Sequence, residues 1–413
     1  MSANHCLSLP LPSLRRGWLS VITVTLATFA VVTTEMLPVG LLSPIAADFD
    51  VPQAQVSLLL TIPAIVAAFC SPLVILFVGR LNRRALLMIL MALLMLANIS
   101  AALATHFYVL IAARIIVGLS IGGIWAIAGG IAVRLLPPGS VAAATSLIFG
   151  GVAAASVLGI PAGIMLGELT GWRGVFTIMS TFSLAILLLQ MVCLPSFPCT
   201  QAPAVSRFIT QLRRPVICTG LFITLLLVTG HFMVFTFVRP LLHEDPLLQP
   251  RYLSGLLALY GIAGIAGNFL FGLLAGRHLY RAVFGIITGI TLALAGMLFL
   301  PPVMTARIPL IILWGLTYGG VSVVLMTWMI RFSAPDIEIT GSLYIAFFNA
   351  GIAAGSAAGG VFVSAFALQG DISAALICLF AALLLTAVFI LRSRRTCVSA
   401  GKETLPHTMP SEY

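Results

Sequence analysis

The sequence predicts an all-α membrane protein with twelve transmembrane helices in two pseudo-symmetric six-helix bundles, and three observations carry that reading. The chain of 413 residues is 61% hydrophobic and only 8% charged, with a mean hydropathy of +1.16. So few polar residues cannot cover a water-facing globule. The apolar residues gather in twelve runs, each near the roughly 20 residues that cross about 30 Å of hydrocarbon at 1.5 Å per residue. Finally, Gly118-Leu119-Ser120-Ile121-Gly122-Gly123 returns 197 positions later as Gly315-Leu316-Thr317-Tyr318-Gly319-Gly320. The same offset maps Gly79-Arg80 onto Gly276-Arg277, Arg134 onto Arg331, Pro138 onto Pro335 and Gly163 onto Gly360 without a gap. A parallel duplication in a polytopic chain is the architecture in which two bundles rock about a shared central site.

Inside a bilayer the backbone must satisfy its own hydrogen bonds, so each apolar run is expected to be a helix. The runs cover 18–42, 54–78, 85–103, 107–134, 140–166 and 174–194 in the first half. In the second they cover 215–241, 253–275, 282–300, 308–333, 340–367 and 372–391. Pro63, Pro72 and Pro161 fall within runs and predict kinks rather than breaks, because neighbouring helices can re-satisfy a freed carbonyl.

Orientation follows from the basic residues. With a cytoplasmic N-terminus, 16 of the 21 Lys and Arg fall on the cytoplasmic side, leaving only Arg114, Arg173, Arg239, Arg251 and Arg307 elsewhere. The positive-inside rule then puts both termini and the central loop inside. The net charge of +10 is accordingly a topological signal. It is dispersed over many short loops, which argues against nucleic-acid binding.

The expected domains are an N-terminal segment 1–17, a first bundle 18–194, a linker 195–214, a second bundle 215–391 and a tail 392–413. The first run is too long for a signal-peptide core and is expected to remain as the first span. Pro195, Pro198 and Pro203 followed by Arg207, Arg213 and Arg214 read as a tether between halves, and the polar tail from 393 as disordered. Cys6, Cys70, Cys193, Cys199, Cys218, Cys378 and Cys397 are odd in number and scattered, so neither a disulfide framework nor a metal site is expected.

There is no Gly-rich loop ending in Lys-Ser/Thr, no His-Glu-x-x-His and no paired-carboxylate arrangement. The energy source is therefore expected to be a gradient, with no cofactor, and the protein is not expected to be an enzyme. Ionisable side chains within spans are then the informative ones, since burying a charge in hydrocarbon is costly. Glu35 in the first run, Arg114 in the fourth and His231 in the seventh are the clear cases. Counting 1.5 Å per residue from the outer ends, Glu35 and Arg114 lie roughly 10 Å deep and His231 about 15 Å, so the three can share one layer. A carboxyl held between desolvation and a facing guanidinium has a proton occupancy that follows the opening and closing of its cavity. The bland alternative is a static Glu35–Arg114 pair that holds the first bundle together. For His231 the equal alternative is a hydrogen bond to a neighbouring helix.

Small residues crowd the fifth and eleventh runs, among them Gly159, Gly163, Gly355 and Gly359 beside Pro161. They let helices approach closely and are expected to form a packing seam where the two halves slide. Trp125, Asn349, Tyr344, Trp314 and Trp328 are candidate cavity residues, whereas Trp18 and Trp172 read as interfacial anchors.

The twelve runs, the duplication and the Gly79-Arg80-Leu81-Asn82-Arg83-Arg84 loop resemble the major facilitator superfamily. More narrowly, Thr33-Thr34-Glu35-Met36-Leu37-Pro38-Val39-Gly40, Gly159-Ile160-Pro161-Ala162-Gly163, Gly171-Trp172-Arg173 and Phe348-Asn349-Ala350-Gly351 are similar to its drug/proton antiporter branch. Within that branch the segment from Arg114 to Pro138, with Phe237-Val238-Arg239-Pro240, looks closest to bacterial purine ribonucleoside exporters, with sugar exporters as neighbours. Gly79 and Asn82 stand where the superfamily loop usually has Asp and Gly. The resemblance implies a major facilitator fold and proton linkage at Glu35 and Arg114. It adds Arg239 to His231, Trp125, Asn349 and Tyr344 as cavity candidates, and implies gating loops with Arg80, Arg83, Arg84, Arg277 and Arg281.

The expected function is a proton-coupled exporter of a small polar organic solute, purine ribonucleoside or sugar-like, in a bacterial inner membrane. Its partners would be solute, protons and membrane lipid, with no nucleic acid, and it is expected to act as a monomer. A multidrug exporter and a non-transporting membrane sensor are the alternatives.

Overall fold

The computed structural model describes residues 13–77, 81–196, 205–242, 250–301, 303–333 and 336–403. In chain order the helices are α1 (Leu14–Phe49), α2 (Gln53–Val56), α3 (Leu58–Phe77), α4 (Arg83–Ala102), α5 (Phe107–Leu135) and α6 (Pro138–Cys193). Then follow α7 (Val205–Leu212), α8 (Pro215–Thr236), α9 (Val238–Leu242), α10 (Pro250–Phe299), α11 (Met304–Gly319), α12 (Val321–Ser333) and α13 (Ile337–Glu403).

Among the described residues nine helical stretches are long and apolar enough to cross a membrane. Three of them contain a non-helical break, at Gly171, at His278 and at Phe366–Ala367. The chain reverses at each. A side chain at Gly351 or Gly355 would meet Val228 and Thr229 of α8, while Gly230 of the same helix abuts Ala375 and Leu379. The two arms of α13 therefore lie side by side. In the same way Gly151 sits against Thr25 and Thr28 of α1, and Phe182 against Phe29. Nine helices thus make twelve passes. Gly171 takes φ +73°, which glycine tolerates without a Cβ clash.

Pro63 and Pro72 lie inside a continuous α3 and Pro161 inside α6, and none of them breaks its helix. Pro38 and Pro44 are likewise inside α1, which runs on to Phe49, beyond the expected end at residue 42. Large apolar side chains such as Phe69, Leu273 and Ile377 are exposed on the outside, where lipid is as good a solvent as a neighbouring helix.

The duplication recurs in the packing. In the first half Gly118 of α5 lies on the Pro63 carbonyl and Gly122 on Ala67 and Cys70 of α3. In the second, Gly315 of α11 lies on the Tyr260 carbonyl and Gly319 on Gly264 of α10. Tyr260 and Gly264 are the counterparts of Pro63 and Ala67 at the same offset. The glycines are there because two backbones cross in contact, leaving no room for a Cβ.

Two expectations about the connecting segments change. The linker carries a helix, α7, with Phe208 and Gln211 buried. Gln211 Nε2 donates to Asp336 at 2.9 Å and Arg207 pairs with it at 3.4 Å, so this part is docked onto the second half rather than a free tether. The backbone of α13 continues as helix to Glu403, past the expected start of a disordered tail. Residues 197–204 and 404–413 lie outside the described residues.

Candidate functional site

Glu35, Arg114 and His231 are all buried. Glu35 sits mid-helix on α1, one residue after Thr34. Arg114 reaches across from α5, where Nη1 donates to the Thr34 carbonyl oxygen at 2.8 Å and the guanidinium lies over the Phe176 ring at 5.0 Å. That position next to an aromatic face partly replaces lost hydration. The alternative of a closed static ion pair finds no contact to support it: among the described residues no salt bridge joins Glu35 to Arg114. The two are within electrostatic reach of one another, yet Glu35 Oε1 and Arg114 Nε and Nη2 are buried without hydrogen-bond partners. An unpaired buried polar atom costs about 1–3 kcal/mol, more if charged, so the first half keeps polar capacity in reserve here.

The second half presents an aromatic box. His231 Nδ1 accepts from the indole N–H of Trp314 at 3.0 Å. Indole can only donate, so the imidazole proton of the neutral ring sits on Nε2, which is buried and unpartnered. Tyr318 stacks on the imidazole at 3.5 Å, and Phe235, Tyr260 and Trp314 close the cluster edge-on and tilted. Tyr318 in turn is within electrostatic reach of Tyr344 and of Glu35. Glu35 is thus within electrostatic reach of Arg114 in its own half and of Tyr318 in the other.

Sequence reasoning missed Tyr318, Tyr260, Phe235 and Phe176. A usable signal was the mismatch between halves. His231 stands at the counterpart of Thr34, Tyr318 at that of Ile121, and Arg114 at that of Ile311. Chemistry sits where the repeat departs from itself. Asp371 was also missed, because it falls one residue before the last run; it is buried with both carboxyl oxygens unpartnered.

Several candidates take other roles. Arg239, on α9, donates from Nη1 to the Gly40 carbonyl of α1 and so ties the halves at the face opposite the N-terminus. Thr61 and Ser356 bond there too at 2.6 Å, and Gly360 lies against Ser57 and Ala54. Asn349 Nδ2 donates back to Ile345 of its own helix at 2.9 Å. Tyr344 is buried against Phe348, and Trp125 is half-buried. Trp328 is a core residue whose indole donates to the Val216 carbonyl at 3.1 Å. Trp172 is no interfacial anchor. It is buried among Phe49 and Phe176, and Arg173 covers it while pairing with Asp48 at 2.7 Å.

The small-residue seam is also corrected. Gly163 faces Leu37 of α1, and Gly355 and Gly359 face Thr229 and Met233 of α8, so these positions hold each half together rather than meeting across the halves. Gly159, against Thr33, is in ordinary contact, and Pro161 is half-buried on the same arm. Of the loop arginines, Arg80 lies outside the described residues. Arg83 is half-buried, and Arg84 Nη2 donates to the Met191 carbonyl at 2.6 Å, near the negative end of the sixth pass. Arg277 and Arg281 are exposed.

Two cavities stand out. One of about 480 Å³ crosses the halves between α3, α8 and α13 and is lined by Thr61, Phe69, Leu225 and Phe347. A larger one, about 940 Å³, lies within the second half near Arg277, Arg281 and Arg331. Neither is lined by Glu35, Arg114 or His231.

Twelve passes in two related halves, meeting at a layer of buried polar groups, define a multi-pass secondary transporter that works by alternating access. The chain belongs to the Major Facilitator Superfamily, which it matches over residues 24–338. Its fold is similar to that of a bacterial homologue of the human lysosomal transporter Spinster in an inward-facing, unoccupied conformation. The TM-score is 0.77 at 17% identity, covering 91% of this chain and 97% of that one. The human organic anion transporter MFSD10 (TETRAN) is also similar, with a TM-score of 0.68 at 16% identity, covering 91% and 100%.

Proposed function

We propose that the protein is a proton-driven exporter that moves a small polar organic solute, purine ribonucleoside or sugar-like, outward in exchange for protons. The observation that supports this is the placement of Glu35. It is buried with an unpartnered oxygen and within electrostatic reach of Arg114 in its own half and Tyr318 in the other. A carboxyl placed between two moving bodies changes its surroundings when they rock. Its proton affinity then differs between the two states, and that difference is what couples a proton to a conformational change.

In the proposed cycle Glu35 takes a proton when the site opens outward and releases it when the site opens inward, while the solute travels the other way. The donors and acceptors offered to the solute are the free Arg114 nitrogens, the His231 Nε2–H and the tyrosine hydroxyls. The proton gradient is the energy source and no cofactor takes part. The setting is a bacterial inner membrane, with both termini cytoplasmic and the protein acting as a monomer; the bias of basic residues supports the orientation.

The test is flux in reconstituted vesicles carrying a pH gradient of either sign, using solutes chosen by thermal-shift screening of the purified protein. Solute movement that follows the gradient and collapses with a protonophore supports the proposal. Flux indifferent to pH overturns the coupling, and absence of flux for every binding solute favours a sensor.

A further inference from the structure

The larger of the two cavities lies away from the central layer and has a chemistry of its own. It encloses about 940 Å³, at the upper end of what a small-molecule pocket usually holds. One end is basic, lined by Arg277, Arg281 and Arg331 with His278. Arg277 and Arg281 flank the break at His278 that turns the eighth pass into the ninth, and Arg331 lies in the last turn of α12. Eight and ten passes bring these points back to the face from which α1 starts. Among the described residues no acidic one lines the cavity.

The other end is apolar and runs toward mid-membrane along Phe284, Leu292, Leu313 and Leu316, with Gly285 and Gly289 in its wall. Phe284 and Leu292 are exposed on the lipid-facing side. The repeat sharpens the contrast. In the first half Arg84 is tied to the Met191 carbonyl and Asn82 to Ser196. Arg277, Arg281 and Arg331 have no hydrogen-bond or ion-pair partner among the described residues.

We propose that this cavity is a binding site for an anionic phospholipid of the leaflet on the N-terminal side. The phosphate is held by the three guanidiniums, and an acyl chain lies along the Leu292–Leu316 groove. Guanidinium forks match phosphate oxygens in pairs, and a basic pocket between helices at this membrane level suits a charged headgroup. A free anion would use only the basic end; the long apolar extension is what commits the site to a lipid. Because the cavity rests on the His278 break and on both α11 and α12, a bound lipid would brace three passes of the second half against one another.

The experiment uses purified, delipidated full-length protein in detergent. It is titrated with phosphatidylglycerol, phosphatidylcholine and glycerol 3-phosphate, and bound molecules are counted by native mass spectrometry. Phosphatidylglycerol is expected to bind and the other two to be retained far more weakly. Replacing Arg277, Arg281 and Arg331 together by Gln lowers phosphatidylglycerol affinity on the order of a hundredfold, at about fivefold per arginine. A control of equal charge change, Arg15→Gln with Arg16→Gln and Arg213→Gln, leaves it unchanged. Leu292→Trp keeps every charge but fills the groove, and is expected to weaken phosphatidylglycerol at least tenfold; it decides the matter if the triple variant does not fold. Undiminished lipid affinity in Leu292→Trp or in the folded triple variant overturns the proposal. Equal loss in the control, or glycerol 3-phosphate binding as tightly as the lipid, overturns it as well.

Discussion

The imidazole of His231 and the phenol of Tyr318 lie face to face, 3.5 Å between centroids and 6° from parallel, although they belong to the seventh and tenth passes. No solute fits between rings at that distance, so the two form a single plate, fixed at one edge by the Trp314 hydrogen bond. Tyr318 of that plate is within electrostatic reach of Glu35 in the first half.

Tyr318→Phe is expected to keep the stack and remove only the hydroxyl that reaches toward Glu35. Stability should change by less than about 1.5 kcal/mol, while solute affinity or the pH profile of transport shifts. Tyr318→Ala also removes the ring, and a stacked pair is worth about 0.5–1.5 kcal/mol beyond its buried area, so thermal unfolding should fall further. Equal behaviour of the two variants in both assays would deny the hydroxyl a role.

Glu35→Gln keeps shape and removes the titrating group. Gradient-driven flux should be lost while expression, insertion and thermal unfolding stay near wild type. Counterflow, which exchanges solute for solute without net proton movement, is expected to persist. Undiminished proton-driven flux would move the coupling elsewhere.

Arg114 tests whether its charge or its fork matters. Arg114→Lys keeps the charge and can still donate to the Thr34 carbonyl, so it should retain part of the flux, whereas Arg114→Gln should lose it. In the double replacement Glu35→Gln with Arg114→Gln, recovered stability without proton-driven flux supports coupling. Recovery of both would favour a purely structural pair.

Gly355→Leu forces a side chain onto the Thr229 carbonyl and Phe232. Overpacking of this kind costs typically 1–3 kcal/mol. The variant should therefore unfold at lower temperature in proportion to its loss of flux. Full stability with blocked transport would restore the idea that this face slides between the halves.

Thr61 and Ser356 hydrogen-bond across the halves at 2.6 Å. In a background lacking the native cysteines, Thr61→Cys with Ser356→Cys should crosslink under mild oxidation and stop transport, with activity returning on reduction. Crosslinking without any effect on flux would mean that this face need not open.

Much of this protein was determined by sequence alone, for reasons that are local or periodic. Twelve apolar runs follow from composition and length, and the offset of 197 reappears as paired glycine crossings at Gly118 and Gly315. Burial of Glu35, Arg114 and His231 follows from their depth in those runs. Tertiary structure alone decided what each of them touches. Arg114 turns to the Thr34 carbonyl and the Phe176 face instead of closing on Glu35, a choice set by side-chain reach across two helices. Gly163, Gly355 and Gly359 point into their own halves, while Gly360 meets Ser57 and Ala54 across them, because a helix face is fixed by neighbours that a linear pattern does not name. Tyr318 became part of the site only when the tenth pass was laid against the seventh, since a tyrosine in an apolar run carries no mark of the histidine on which it will stack.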